Sequence, residues 1–385
     1  MVTAVRVKSF LQAHRPLWAI LMMGLLYVLM PSINHSGDSF TYAWSIHAGE
    51  ELFSPHHLLY NSFYYLLQRV FGVSDTLAFI CLMNGLFAVG CLLFSNAILF
   101  KFVDGKTRAY LLIFLGSCFG FMRYATTGEA YIVPLFFSLC ASWAALERRP
   151  AYVVALLAAI ACLFHQVQVF WWIGLLWFVL VSDKEYRLKH FLQYGIVSCI
   201  VPVAYLLVFS LTTSDSSSIF EYLVHDYVYN EGVDFKVTAR SLLLTPISFV
   251  RTFYQVHGYM LSLVQRFWIV GVALIASVVL GLMGCINLWH TRLSKDKNLF
   301  DRQFATCHLI IFILQLLFAF ISDGNAEFMV MLPFALMFFL FARYRFERLA
   351  MWAFALSIFL WNLSAGLIPY HFLELTPRTG RGEIH

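Results

Sequence analysis

The chain has 385 residues, of which 61% are hydrophobic and only 12% charged. A soluble domain carries about 25% charged residues, so this composition excludes a water-soluble globule of the same length. The formal net charge of +5 is spread over many short loops, where it reads as a topology signal and not as a nucleic-acid footprint.

In chain order, a basic N-terminus (residues 1–15) leads into an apolar run at 17–33. No small-residue cleavage site follows it, so it reads as a retained first helix and not a removed signal peptide. Further apolar runs occupy 76–100, 109–125, 130–146, 151–164, 166–182, 191–211, 267–289, 304–321, 328–342 and 349–368. Several are shorter than the roughly 20 residues of a full crossing, a deficit that a small tilt or a locally thinned bilayer accommodates. With the N-terminus in the cytoplasm, segments 1–16, 101–108, 147–150, 183–190, 290–303 and 343–348 lie inside and hold 18 of the 26 Lys and Arg. That asymmetry follows the positive-inside rule.

Parity then constrains two ambiguous stretches. Residues 58–71 and 241–265 are each followed by a run that must end inside, so both are expected as amphipathic helices on the outer interface. Residues 151–182 begin and end inside and form a short hairpin with His165 and Gln166 at its outer tip. The expected fold class is an all-α polytopic membrane protein with about eleven transmembrane helices plus two outer interfacial helices, and no separate soluble module. The two substantial hydrophilic loops, 34–57 and 212–245, are both outside. The eight cysteines sit in or beside apolar runs without CxxC or Cys/His ligand spacing, so they read as small core hydrophobes.

The polar residues gather in the outer loops. Asp38 follows directly on the first helix, where partial desolvation suits a general base or a cation ligand, although a helix-capping acid is equally compatible. His56 and His57 close the same loop. Arg123 and Glu129 bracket a tight turn between two runs: a guanidinium suits phosphate or headgroups, and a carboxylate at a helix start is also what capping requires. His165 lies at the hairpin tip, where packing alone is the commoner role for a histidine. The turn 322–327 contributes Asp323, Asn325 and Glu327, as caps or as ligands of substrate hydroxyls. Lys236, Arg240 and Arg251 lie in or beside the second large outer loop and suit a lipid phosphate or the headgroups in general. Ionisable residues avoid mid-membrane, which argues against a central proton or ion path. Their collection at one face suits a lipid-linked substrate whose polar head meets carboxylates at the surface.

This pattern resembles the GT-C superfamily of glycosyltransferases, polytopic enzymes that use polyprenyl-phosphate-linked sugars. The resemblance is carried by Gly37-Asp38 after the first helix, the interfacial segment 58–71, Arg123 through Glu129-Ala130-Tyr131, the hairpin with His165-Gln166, and Asn325-Ala326-Glu327-Phe328 before a run reaching Leu332-Pro333. It covers residues 1–211 best, implying a seven-helix catalytic module, with 212–385 as a variable part of four helices. It implies an inverting transfer to an acceptor hydroxyl on the extracytoplasmic side. Asp38 is then the general base, the polyprenyl phosphate is the leaving group, and Arg123, Lys236, Arg240 or Arg251 stabilise that phosphate. Glu129 is the second acid, binding the acceptor or, with Asp38, a divalent cation (Mg or Mn). The partners implied are a polyprenyl-phosphate-linked sugar donor, a glycan or lipid-linked acceptor and membrane lipids, with no nucleic acid. The chain departs from the best-known members in having Ser39 and not a second acid after Asp38, and in having no large C-terminal soluble domain, which points to a small or lipid-linked acceptor. The default location is a bacterial inner membrane, with the C-terminus and active site outside. Competing readings are a transporter or flippase of a lipid-linked glycan, which should show paired repeats and broken helices, a glycan polymerase or ligase of another membrane family, and a structural subunit.

Overall fold

Apolar runs in a chain this poor in charge satisfy their backbone N–H and C=O groups most economically within helices. The computed structural model describes residues 14–211, 218–219, 221–223, 238–256, 258–289, 292–293 and 298–375, and it is all-α. The exception among the described residues is a two-residue antiparallel pair, Arg292–Leu293 against Tyr344–Arg345. The first half contains α1 (Arg15–Leu29), α2 (Gly37–Ala48), α3 (Tyr60–Phe71), α4 (Thr76–Leu99), α5 (Gly105–Ser117), α6 (Phe119–Ala125), α7 (Ile132–Leu146), α8 (Ala151–Phe164), α9 (Val169–Ser182), α10 (Arg187–Ser198) and α11 (Ile200–Leu211). The second contains α12 (Ala239–Phe253), α13 (Met260–Arg266), α14 (Trp268–Leu288), α15 (Leu299–Ile321), α16 (Leu332–Arg343), α17 (Arg348–Asn362) and α18 (Ile368–Phe372).

Among the described residues, five helical stretches are long and apolar enough to cross a membrane: Thr76–Leu99, Arg187–Leu211, Trp268–Leu288, Leu299–Ile321 and Arg348–Phe372. Helix α14 leaves Ile275, Val279, Leu282 and Ile286 exposed, an apolar surface that water would not tolerate at this extent. One core cluster runs from Ala19 in α1 to Tyr370 in α18, so both halves of the chain share it.

The turns between helices gather at two ends. At one, Lys101 Nζ meets Glu147 Oε1 at 2.9 Å and Arg348 reaches Asp104 Oδ2 at 3.3 Å. At the other, the Ser32 amide donates to the Thr126 carbonyl, Gln166 Nε2 to the Pro55 carbonyl, and Thr238 Oγ1 to Asp323 Oδ1. The second end carries nearly all the candidate residues.

Four local features differ from the sequence expectation. The loop 34–57 contains α2, started by Ser36, whose Oγ accepts from the Ser39 amide, and stopped by left-handed Gly49. The run at 109–125 breaks at Cys118 into α5 and α6, and Asn362 Nδ2 donates to the Ser117 carbonyl that the break leaves open. The segment 241–265 is not one helix but two, α12 and α13. Between them the Gln255 amide donates to Asn362 Oδ1 at 2.8 Å, and Trp361 Nε1 donates to the Gln255 carbonyl at 2.7 Å. The last long run contains a π turn, Leu363–Leu367, seated on α6 through the close approach of Gly366 to Phe119 and Met122.

Helices α3 and α12 are amphipathic with their polar faces turned inward. In α3, Tyr60, Asn61, Tyr64 and Gln68 are buried while Leu66, Val70 and Phe71 are exposed. In α12, Ser241, Thr245 and Thr252 are buried while Leu242, Leu243, Ile247 and Val250 are exposed. A surface helix facing water shows the opposite arrangement.

Close packing between α9 and α15 depends on Gly174. A Cβ there would stand 2.4 Å from Ile311 Cγ1 and 3.2 Å from the Cys307 carbonyl oxygen, whose side chain in turn donates to the Gly174 carbonyl. Small residues permit such helix contacts in apolar surroundings. Gly174→Ala is expected to destabilise the fold by about 1–3 kcal/mol through overpacking, seen as a lower thermal unfolding midpoint of the detergent-solubilised protein.

Candidate functional site

The site begins with the turn after α6. Thr126 Oγ1 and Thr127 Oγ1 donate back to the Arg123 carbonyl at 3.0 and 3.1 Å, ending the helix. Asn84, fully buried on α4, donates to the carbonyls of Thr127 and Glu129 at 2.8 and 2.9 Å, and accepts from the Tyr64 hydroxyl at 2.7 Å. The Tyr60 hydroxyl donates to the Gly128 carbonyl. A short loop with several buried carbonyls is thereby held by side chains of α3 and α4. Its product is Glu129, 3% exposed, whose Oε1 accepts from Ser36 Oγ and from Ser39 Oγ. Helix α7 starts later, at Ile132, with no side-chain cap, so Glu129 is not serving as one.

A second turn, 322–327, comes from between α15 and α16. Gly324 has φ of +71° and lies so close to α12 that a Cβ would sit 2.6 Å from the Thr245 nitrogen. Asp323, itself left-handed, approaches Arg240 at 3.8 Å. Asn325 Oδ1 accepts from the Glu327 amide, and Glu327 Oε2 accepts from the Tyr131 hydroxyl at 2.9 Å.

The two turns and α12 enclose a cavity of about 550 Å³. Glu129, Glu327 and Asn325 line it together with Arg123, Arg240 and Arg251, and Phe119, Leu244 and Ile247 supply apolar wall. The Arg123 guanidinium lies 4.6 Å over the Tyr370 ring, and its Nη1 is buried without a hydrogen-bond partner. Ser322 Oγ, in the same lining, is likewise buried and unpartnered. Among the described residues no carboxylate pairs with Arg123 or Arg251. Buried, unused donors of this kind mark a place where a polar ligand would complete the hydrogen bonding.

Burial, reinforced by the Glu327 charge and by Asp38, pushes the Glu129 carboxyl up to about 7 despite the opposing Ser36 and Ser39 hydrogen bonds. Glu327 is also raised, first by desolvation, with the Asp38 charge adding to it and the Tyr131 hydroxyl opposing it. His35 is lowered by burial and by the Arg123 charge.

Of the residues singled out in the sequence, Arg123, Glu129, Arg240, Arg251, Asn325 and Glu327 meet at this cavity. Asp38 does not line it. It is exposed in the first turn of α2, near enough for its charge to act on both glutamates. His56, His57 and His165 form a neighbouring cluster: the His57 and His165 ring centroids are 4.4 Å apart, and His165 lies 4.9 Å from the Tyr131 ring. Tyr131 therefore stands between the histidines and the cavity, with its ring on one and its hydroxyl on the other. His165 Nδ1 accepts from the Val167 amide, and burial with the neighbouring histidines holds the ring well below its usual pKa. Lys236 lies outside the described residues. The sequence alone assigns no site role to Ser36, Ser39, Asn84, Tyr131 or Tyr370, because hydroxyls, amides and rings carry no local signal of the carbonyl, carboxylate or guanidinium that they reach across the fold.

For a divalent cation held by Asp38 and Glu129 the donor set does not fit. Among the described residues no three His, Cys, Asp or Glu side chains are grouped to hold a metal, and Asp38 does not line the cavity that Glu129 lines.

Replacing Glu327 by Gln removes the largest like charge acting on Glu129. The Glu129 carboxyl is then expected to titrate at lower pH than in the parent, as followed by its infrared carbonyl band. An unchanged midpoint would refute the electrostatic coupling.

Compared with known proteins, the chain matches no family model, no curated protein and no solved structure.

Proposed function

We propose that the chain is a multi-pass membrane glycosyltransferase that transfers a sugar from a polyprenyl-phosphate donor to an acceptor hydroxyl. The observation that carries this reading is the cavity that Arg123 and Arg251, without carboxylate partners among the described residues, line together with Glu129 and Glu327. Guanidinium groups suit the donor phosphate, both in binding and as its charge grows on departure. Carboxylates suit the hydroxyls of sugar and acceptor. Helix α12 forms one wall, and its exposed leucines would let a polyprenyl chain remain in lipid while the head enters past the buried hydroxyl face. A lipid-linked substrate needs that combination of an apolar outer rim and a polar interior.

In this reading the chain crosses the membrane about eleven times, the shorter apolar helices α1, α7, α8 and α9 among the crossings. Helices α3 and α12 lie on the outer interface. The basic end, with Lys101, Arg148 and Arg348, is cytoplasmic, and the cavity is extracytoplasmic, as in a bacterial inner membrane. Residues 1–211 supply Glu129 and Arg123, and residues 212–385 supply α12 and Glu327, so the catalytic module needs the variable part to close its site. Transfer inverts the anomeric centre, one carboxylate at the site taking the acceptor proton.

The purified full chain in lipid nanodiscs, given a panel of polyprenyl-phosphate sugars and a cell-envelope lipid extract as acceptor, is expected to release polyprenyl phosphate. Arg123→Ala with Arg251→Ala should raise the KM for the donor at least about tenfold, since each charge-assisted hydrogen bond contributes about 1.5–3 kcal/mol. Movement of a fluorescent lipid-linked sugar between leaflets without phosphate release would overturn the proposal in favour of a transporter.

A further inference from the structure

We infer that Glu129, and not Asp38, takes the proton from the acceptor hydroxyl, while Asp38 acts on it through space. The inference rests on the transferase reading above and names the proton acceptor within that site. The geometry separates four acids by role. Asp323 lines the cavity, but Thr238 Oγ1 donates to its Oδ1 and Arg240 approaches its Oδ2. Asp38 is exposed in the first turn of α2 and does not line the cavity; its position there is accounted for by the favourable helix dipole. Glu327 lines the cavity, but its Oε2 is occupied by the Tyr131 hydroxyl, and the Tyr124 hydroxyl also serves it. Glu129 is the remaining acid. Both its hydroxyl donors, on Ser36 and Ser39, go to Oε1, and no donor among the described residues is recorded on Oε2. Two donors on one oxygen fix the rotation of the carboxylate and leave the other oxygen for an incoming O–H. The supporting shell is rigid: Asn84 holds the Glu129 backbone and Tyr60 holds Gly128.

The step balances as a single displacement. Glu129 Oε2 accepts the acceptor's hydroxyl proton as that oxygen's electron pair forms a bond to the anomeric carbon. The bond from the anomeric carbon to the phosphate oxygen breaks on the opposite face, and its electron pair leaves with the polyprenyl phosphate beside Arg123 and Arg251. The sugar is inverted, and Glu129 holds one proton to be returned to water.

Titration supports the same assignment. Its burial and like-charged neighbours put Glu129 at about 7, close to the value at which a base is both ionised and basic at neutral pH. The groups that face it are Asp38 from α2, Tyr60 from α3, Cys81 from α4, Tyr124 from α6, Tyr131 and Glu327. Of these, the two acids raise its pKa, so removing either negative charge must lower it.

Two measurements on the full chain in nanodiscs test the assignment. The first needs no substrate: infrared titration is expected to show a protonated carboxyl band disappearing near pH 7, absent in Glu129→Gln and moved to lower pH in Asp38→Asn. The second is transfer from the donor panel. Glu129→Gln should lower kcat by about 10²–10⁴-fold. Glu129→Asp should restore part of it, and Asp38→Asn should keep kcat within about tenfold while its acid limb moves to lower pH. Persistence of the band in Glu129→Gln, or loss of kcat in Asp38→Asn with retention in Glu129→Gln, would overturn the assignment. Absence of phosphate release by the parent chain from every donor would instead overturn the transferase reading, and the infrared titration would still decide whether Glu129 titrates as described.

Discussion

The constraint on which the site depends is the placing of two glutamates beside each other in a poorly solvated cavity. A carboxylate removed from water is costly unless hydrogen bonds or cations compensate it. Here the compensation is divided: Ser36 and Ser39 serve Glu129, Tyr131 serves Glu327, and the nearby guanidinium groups are not spent in ion pairs with either. Glu129 consequently remains poised between its two protonation states near neutral pH. Much of the surrounding architecture exists to keep that arrangement in place. Asn84 is fixed on α4 by Tyr64, and Gly324 allows the second turn to press against the α12 backbone.

Helices α3 and α12 share one inverted pattern. Their polar residues face the protein interior and their apolar residues face outward, the reverse of a surface helix in water. The same inversion lets α12 contribute Thr252, Arg240 and Arg251 to the cavity while its other face remains compatible with lipid. One helix thus presents a polar face to the cavity and an apolar face to the outside. The π turn at Leu363–Leu367 has a related role: it seats the last helix on α6 and leads to Tyr370, over which Arg123 is spread.

Among the residues singled out, those in short turns were legible. Glu129, Asn325 and Glu327 lie where long apolar runs are interrupted, with Arg123 in the last helical turn before one such interruption, and a polar residue there has few places to go except the end of the bundle. Asp38 was legible as an acid following the first long helix, but its position outside the cavity lining was not. The residue sits exposed at the start of α2, a helix that Ser36 caps within what reads as a hydrophilic loop. The break between α12 and α13 was equally invisible, because it is stabilised by Asn362 and Trp361 more than a hundred residues away.

The amino-acid sequence by itself determined the all-helical class, the low-charge apolar character of the chain and the segregation of basic loops from loops rich in other polar residues. Each follows from local composition and from the demand that backbone groups be paired within an apolar stretch. Only the tertiary structure decided which acids share a cavity, which oxygen of Glu129 is left open, and that the histidines stand behind Tyr131. Those outcomes depend on hydrogen bonds and burial between segments far apart in the chain, and no local pattern of residues encodes the distance between two turns.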